Sequence, residues 1–201
     1  METSAEYFRS EVPAGTCGPW VIEKVLIPER CYDPAMDSRP DCFKFRPGTY
    51  TCLRRGATQF MTDLYDEWWT QREAIAEALR RGGDVLVTGL GLGLVVDAML
   101  RPAESSVRHV TIVEFSPDVA RLVGPHLSLR YRERVEIVEA DAFTWAPPEG
   151  QRFTVAWHDI WPDPFMPGIA DEMRRLSDRY SPWCDWQGFW PESYADALAR
   201  K

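Results

Sequence analysis

The chain has 201 residues, 45% of them hydrophobic, enough to bury one sizeable core in a single main domain with a small appendage. A net charge of -8 and a pI near 5.0 argue against a broad phosphate-binding surface and so against a nucleic-acid partner, because such surfaces are built from clustered Lys and Arg; compact basic pairs such as Arg54-Arg55 and Arg80-Arg81 are few. The acidic start, Met1-Glu2-Thr3-Ser4-Ala5-Glu6, and the lack of any long apolar run give no signal for export or membrane insertion, so the cytoplasm is the expected compartment.

In chain order, residues 1–19 carry Pro13, Gly15, Gly18 and Pro19 without periodicity and read as an irregular, partly mobile arm. Val21 to Ile27 is a β-branched run ended by Pro28. Cys42 to Phe45 and Tyr50 to Arg54 then flank Arg46-Pro47-Gly48-Thr49, which predicts a hairpin and hence a small β appendage. Cys17, Cys31, Cys42, Cys52 and Cys184 show neither a CxxC pair nor a His/Cys spacing suited to zinc, so they are expected as free thiols without a metal.

From about Thr58 to Arg80 glycine and proline are absent, and Ala74, Ile75, Ala78 and Leu79 repeat at helical spacing before Gly82-Gly83, which predicts a helix leading into the core. Short apolar strands then alternate with helices. Asp84 to Thr88 precedes a helix to about Arg101; His109 to Glu114 precedes a helix with Ser116 as N-cap and Pro117 at its first position; Val135 to Glu139 and Phe153 to His158 follow. A helical stretch near Gly168 to Tyr180, an aromatic segment from Trp183 to Trp190 and a helix opened by Pro191 complete the pattern. Alternation at this spacing predicts an α/β protein with a Rossmann-like parallel sheet flanked by helices, divided into an arm and appendage over 1–56 and a main domain over 57–201.

The strand Asp84 to Thr88 runs into Gly89-Leu90-Gly91-Leu92-Gly93. Glycines between a strand and a helix let backbone approach a ligand and aim helix N–H groups at it, which suits a nucleotide-like molecule, although a tight junction alone could also use them. The dinucleotide fingerprint needs glycine where Leu94 stands, which disfavours NAD and favours S-adenosylmethionine. Glu114, ending the second strand, can accept both ribose hydroxyls or be a solvated strand-end acid. Asp141 can accept from an adenine amino group while the adjacent backbone at Ala142 reads the ring, or simply cap a turn.

With these residues in order, the chain resembles the class I S-adenosylmethionine-dependent methyltransferases over about residues 56 to 190. The resemblance implies that Gly89, Leu90, Gly91 and Gly93 hold the methionine end, Glu114 the ribose, Asp141 and Ala142 the adenine, and Asp159 the reacting group. Asp159-Ile160-Trp161-Pro162-Asp163-Pro164 follows the fourth strand, at the sheet edge where ligands bind. Asp159 is the expected catalytic residue, orienting the nucleophile by hydrogen bonding or accepting its proton, and Trp161 is expected to pack on the sulfonium or a cationic substrate. Alternation puts His158 on the face opposite Asp159. Trp157, Trp183, Trp186 and Trp190 either wall a pocket or fill core.

Within that superfamily the chain is most similar to the polyamine aminopropyltransferases, the spermidine synthase group. The similarity rests on Gly56-Ala57-Thr58-Gln59, the acids Asp63, Asp66 and Glu67, Asp141-Ala142-Phe143, and an Asp-x-x-Asp-Pro motif lengthened here by one residue at Asp159 to Pro164. Asp66-Glu67-Trp68 with Asp159 to Pro162 also resembles the guanidinoacetate methyltransferases. Both resemblances imply a cationic amine or guanidine substrate, on a small molecule or peptide. Where aminopropyltransferases carry an aspartate that pairs with the donor amine, this chain has Leu92, which favours methyl over aminopropyl transfer. The alternatives are an aminopropyltransferase and an inactive cofactor-binding partner subunit. The short segment after the fifth strand gives the expectation of a truncated sheet whose edge is covered by a homodimer or a partner protein.

Overall fold

The structure, a computed structural model, describes residues 7–29 and 47–199. The chain first builds an antiparallel sheet of β1 (Gly15–Cys17), β2 (Trp20–Ile27), β3 (Gly48–Arg55) and β4 (Thr58–Thr62), in that spatial order. The predicted hairpin arm Cys42 to Phe45, with Cys31 and Cys42, lies outside the described residues. Cys17, Cys52 and Cys184 are free thiols.

Thr58 to Thr62 corrects the sequence reading, which carried it into a helix. Gly56, at φ 59°, turns the chain back, and Thr58 pairs with Arg55 and Met61 with Leu53. Pairing with β3 overrides the local lack of breakers. Helix begins only with α1 (Tyr65–Thr70) and α2 (Arg72–Arg81), joined at Gln71. Ala74, Ile75 and Ala78 form the buried stripe of α2, and Gly82, at φ 63°, ends it.

The arm differs too, because residues 7–14 are pinned. Asp63 is fully buried, accepting the Ser10 N–H at Oδ2 (2.8 Å) and the Thr51 N–H at Oδ1 (2.7 Å), and Val12 is buried in the core. Glu11 pairs with Arg101 and Arg130 on the main domain. Their contact with Asp63 lies 53 residues away along the chain, beyond the reach of local periodicity.

The main sheet is parallel. Its strands β5 (Gly83–Thr88), β6 (Val107–Glu114), β7 (Val135–Glu139), β8 (Val155–His158) and β9 (Gln187–Phe189) stand in the order β7-β6-β5-β8-β9. Between them lie α3 (Leu94–Leu100), α4 (Pro117–Tyr131) and α5 (Ile169–Tyr180), and α6 (Trp190–Ala199) follows β9. Ser116 caps α4, its hydroxyl accepting the Val119 N–H. The aromatic segment thus supplies the fifth strand. Val85, Leu86, Val87, Val110, Ile112, Val155 and Ala156 are sealed from solvent, as a sheet covered on both faces requires.

Strand order reverses between β5 and β8. At such a switch point the helices leave on opposite sides and a crevice opens at the carboxyl ends of the strands. The N-terminal sheet and α1 close over that crevice. No helix among the described residues is long and apolar enough to cross a membrane.

Candidate active site

The crevice is a cavity of about 390 Å³ at the carboxyl ends of β5, β6 and β8, within the range of small-molecule sites. Gly89 leaves β5 at φ 91°, its N–H donating to Val113 O, and a Cβ there would run into the carbonyl oxygen of Asp159. Gly91, at φ 51°, has Met61 of β4 directly above it. Both glycines line the cavity. Leu90 and Gly93 do not: Leu90 is buried and gives its N–H to Glu114, and Gly93 starts α3 and packs on Leu127. Leu92 is also turned into the core, 1% exposed.

Glu114 lines the cavity with each carboxylate oxygen holding one backbone donor, Oε1 from Ser116 at 2.7 Å and Oε2 from Leu90 at 2.8 Å. Burial raises its pKa, and these backbone bonds pull it back. An ionised carboxylate keeps a further lone pair on each oxygen, the acceptors that a vicinal diol needs. Across the cavity, Asp141 fixes its own loop through Oδ1 and the Phe143 N–H (2.8 Å), which leaves Oδ2 for an amino group. Ala142 lines the wall beside it, its carbonyl held by the Tyr180 hydroxyl at 2.8 Å. Val113, Phe115, Val119 and Phe143 add the apolar walls a purine requires. Together the glycines, Glu114 and the Asp141 loop fit an adenosyl group.

At the other end Asp159 reaches the cavity from the end of β8, its N–H bonded to Thr88 O. Burial pushes its carboxyl up to about 7, against the lowering pull of a hydrogen bond from Gln71 Nε2 to Oδ2 at 2.7 Å. Glu67 of α1 shares this end of the cavity, and burial, then the charge of Asp159, then that of Asp66 hold it well above the usual carboxylate range. Two carboxyls whose pKa burial raises therefore line the cavity where the glycine turn begins, at Gly89. Trp161 is buried on the wall, its indole N–H donating to Glu172 at 2.6 Å.

Gln71, Met61, Trp20 and Phe60 were not anticipated as site residues, and Glu67 was named only through the resemblance. Glu67 and Gln71 are four residues apart and so share a helical face, the one local signal that pairs them. Trp190 lines the cavity, with its indole N–H on Thr70 Oγ1 (3.0 Å), whereas Trp157 is sealed in the core with its N–H on Gln71. His158 lies beneath the sheet edge, bonded to Thr88 and Gln187 and away from the cavity wall.

No family model matches the chain. It is 36% identical over 147 residues to polyamine aminopropyltransferase 1 of Streptomyces coelicolor, a match covering 69% of this chain and 27% of that protein. The chain thus spans about a quarter of its relative's length. Among solved structures it is similar to the 23S rRNA methyltransferase ErmE (22% identity, 60% of this chain and 43% of that one, TM-score 0.45). It is also similar to an S-adenosylmethionine-dependent methyltransferase from Clostridium acetobutylicum (11%, 58% and 45%, TM-score 0.44) and to protein arginine methyltransferase 10 of Arabidopsis thaliana (18%, 57% and 33%, TM-score 0.43). With its parallel sheet in the order β7-β6-β5-β8-β9, the chain has a Rossmann-like fold and resembles, in sequence, a polyamine aminopropyltransferase.

Proposed function

We propose that the chain is an S-adenosylmethionine-dependent methyltransferase acting on an amine or guanidine nitrogen of a small molecule or peptide. The observation that carries this reading is the pair of half-buried carboxyls, Asp159 and Glu67, at the end of the cavity where the glycine turn begins. S-adenosylmethionine bound along Gly89, Gly91, Glu114 and Asp141 would supply a methyl group made electrophilic by its sulfonium. Asp159 takes up the proton that the acceptor nitrogen sheds as its lone pair forms the new N–C bond, while the S–C bonding pair stays with sulfur. A carboxyl near 7 is matched to that exchange at neutral pH. Glu67 pairs with a cationic group of the acceptor other than the reacting nitrogen, which draws its raised affinity for a proton back down, and the apolar walls strengthen that attraction by excluding water. Trp161 offers its ring face to the cation.

The test is formation of S-adenosylhomocysteine with a panel of amines and guanidines, alongside calorimetric binding of S-adenosylhomocysteine. A protein that neither binds the nucleoside nor turns over any acceptor would remove the reading.

Aminopropyl transfer is the second reading, favoured by the 36% identity to a polyamine aminopropyltransferase. Against it, Leu92 leaves no carboxylate on the glycine turn to pair with a donor ammonium, a charge-assisted bond of about 1.5 to 3 kcal/mol. Tighter binding of decarboxylated than of intact S-adenosylmethionine would reverse the preference.

A further inference from the structure

Gln71 has a place in the fold that its surroundings define closely. It is the single residue between α1 and α2, it is fully buried, and its side chain spans two partners: Oε1 accepts the Trp157 indole N–H at 2.6 Å and Nε2 donates to Asp159 Oδ2 at 2.7 Å. Trp157 and Asp159 stand two residues apart at the end of β8, so strand alternation brings the indole and the carboxyl to the same side. The direction of the amide is therefore decided by chemistry. An indole nitrogen can only donate, so Oε1 must face Trp157 and the NH₂ must face Asp159. The Asp159 oxygen that meets an N–H donor has to be an acceptor.

We propose that Gln71, oriented by Trp157, is a positioning residue that keeps Asp159 Oδ2 free of a proton and directs the carboxyl's proton exchange to Oδ1. The inference rests on the reading of Asp159 as the group that accepts the acceptor's proton. Gln71 is not on the cavity wall whereas Asp159 is, so the oxygen left over by the amide is the one available to a ligand. A carboxyl able to carry its proton on either oxygen would spend part of its time with the proton turned inward, useless to an acceptor nitrogen. The relay removes that state.

The other charged groups around Asp159 leave this arrangement intact. Glu67 faces it from α1, where the charge of Asp159 strengthens Glu67's own hold on a proton. Glu114, Asp141 and Arg55 lie on the same cavity wall from β6, the loop after β7 and β3. Glu172 of α5 is held by the Trp161 indole. His158, next in the chain, is bonded to Thr88 and Gln187 on the opposite side of the strand.

The experiment is a carboxyl titration in the free protein by ¹³C NMR with labelled aspartate, the Asp159 signal being assigned by its loss in Asp159→Asn. The wild-type midpoint is expected near 7. Gln71→Met, close in size but without the donor, should raise the midpoint by about one pH unit, a tenfold gain in proton affinity. Trp157→Phe keeps Gln71 but frees the amide to turn and offer Oε1 to a proton on Oδ2, so it should move the midpoint in the same direction by less. If Gln71→Met fails to fold, Trp157→Phe carries the test alone. A midpoint unchanged in the folded variants overturns the proposal. Calorimetry with S-adenosylhomocysteine on the same samples separates the two ideas: shifted titrations without nucleoside binding remove the methyltransferase reading and leave the proton placement standing, while binding with unshifted titrations does the reverse.

Discussion

The thioether of Met61, on β4, accepts the backbone N–H of Leu92 at 3.1 Å, so the N-terminal sheet closes directly on the glycine turn. The same sulfur fills the space above Gly91 that a Cβ would need. Sulfur is a weak acceptor, and its place there is held mainly by packing, since Met61 is itself buried and paired in register with Leu53.

That contact predicts coupling between two residues 30 positions apart in the numbering. Gly91→Ala must adopt φ 51° and push Met61 aside, at a cost of about 1 to 2 kcal/mol for the backbone alone. Met61→Ala leaves a cavity and should cost about 2 to 3 kcal/mol. The double variant should be about 1 kcal/mol more stable than the sum of the singles, because the alanine methyl then enters space the sulfur vacated. Urea unfolding of the four proteins measures this, and simple additivity would mean that Met61 is not what closes the turn.

Much of the main sheet was legible because β5 to β8 are short apolar runs and the site residues lie at their carboxyl ends: Gly89 after β5, Glu114 at the end of β6, Asp141 after β7, Asp159 after β8. Position at a strand end is local information. Thr58 to Thr62 was not legible, because its strand character comes from pairing with β3 and its five residues carry no alternation strong enough to outweigh the absence of glycine and proline. Gln71 was invisible for a related reason: its partner Asp159 is 88 residues away, and nothing near a glutamine in a helical stretch announces that its amide ends will be divided between an indole and a carboxyl. The closing role of β4 belongs to the same class, since Met61 meets Leu92 only when two sheets pack.

Glu114 is the sharpest test of the nucleoside site. Its oxygens each hold a backbone N–H, and Glu114→Gln would aim an NH₂ group at one of those donors. The variant should lose about 1 to 2 kcal/mol of stability, from one buried donor left without an acceptor. It should also bind S-adenosylhomocysteine at least tenfold more weakly, through the loss of one charge-assisted bond to the ribose. Calorimetry and a melting curve on one preparation read both. Unaltered nucleoside affinity would remove Glu114 from the binding site whatever happened to stability.

Asp159 should mark both chemistry and stability. Its folded-state pKa, about 7, lies above its ordinary value of 3.8, so between those values the folded protein holds a proton that the unfolded chain has released. Its contribution to stability is therefore full at low pH and is lost as pH rises to about 7, at no more than about 1.4 kcal/mol per pH unit. Asp159→Asn should match the wild type near pH 4 and exceed it at pH 8. Glu67 shifts in the same direction, so the comparison has to be wild type against variant at each pH. Turnover in the variant should fall by about a hundredfold or more, with S-adenosylhomocysteine affinity within a few fold. Turnover at the wild-type level would take Asp159 out of the mechanism.

His158 should behave in the opposite sense and leave the chemistry untouched. Gln187 gives its Nε2–H to Ser177 O at 3.1 Å, so its Oε1 must accept from His158 Nε2 (3.1 Å), and Nδ1 is left to accept the Thr88 hydroxyl at 3.0 Å. The ring is neutral, sealed from solvent and stacked on Phe189 at 4.8 Å between centroids; burial pushes its pKa down to about 4 from the ordinary 6.5. Between those values the unfolded chain binds a proton that the folded protein refuses, so this contribution is present above pH 6.5 and is lost as pH falls to about 4. The loss is about 3 kcal/mol at most. His158→Phe should cost about 2 to 3 kcal/mol at pH 8, because Thr88 and Gln187 lose their partner. The gap to wild type should then narrow by about 2 kcal/mol at pH 5, since the variant has no imidazole to charge on unfolding. Its pH profile of turnover should keep the wild-type shape, whereas a general base at this position would lose its acid limb in the variant.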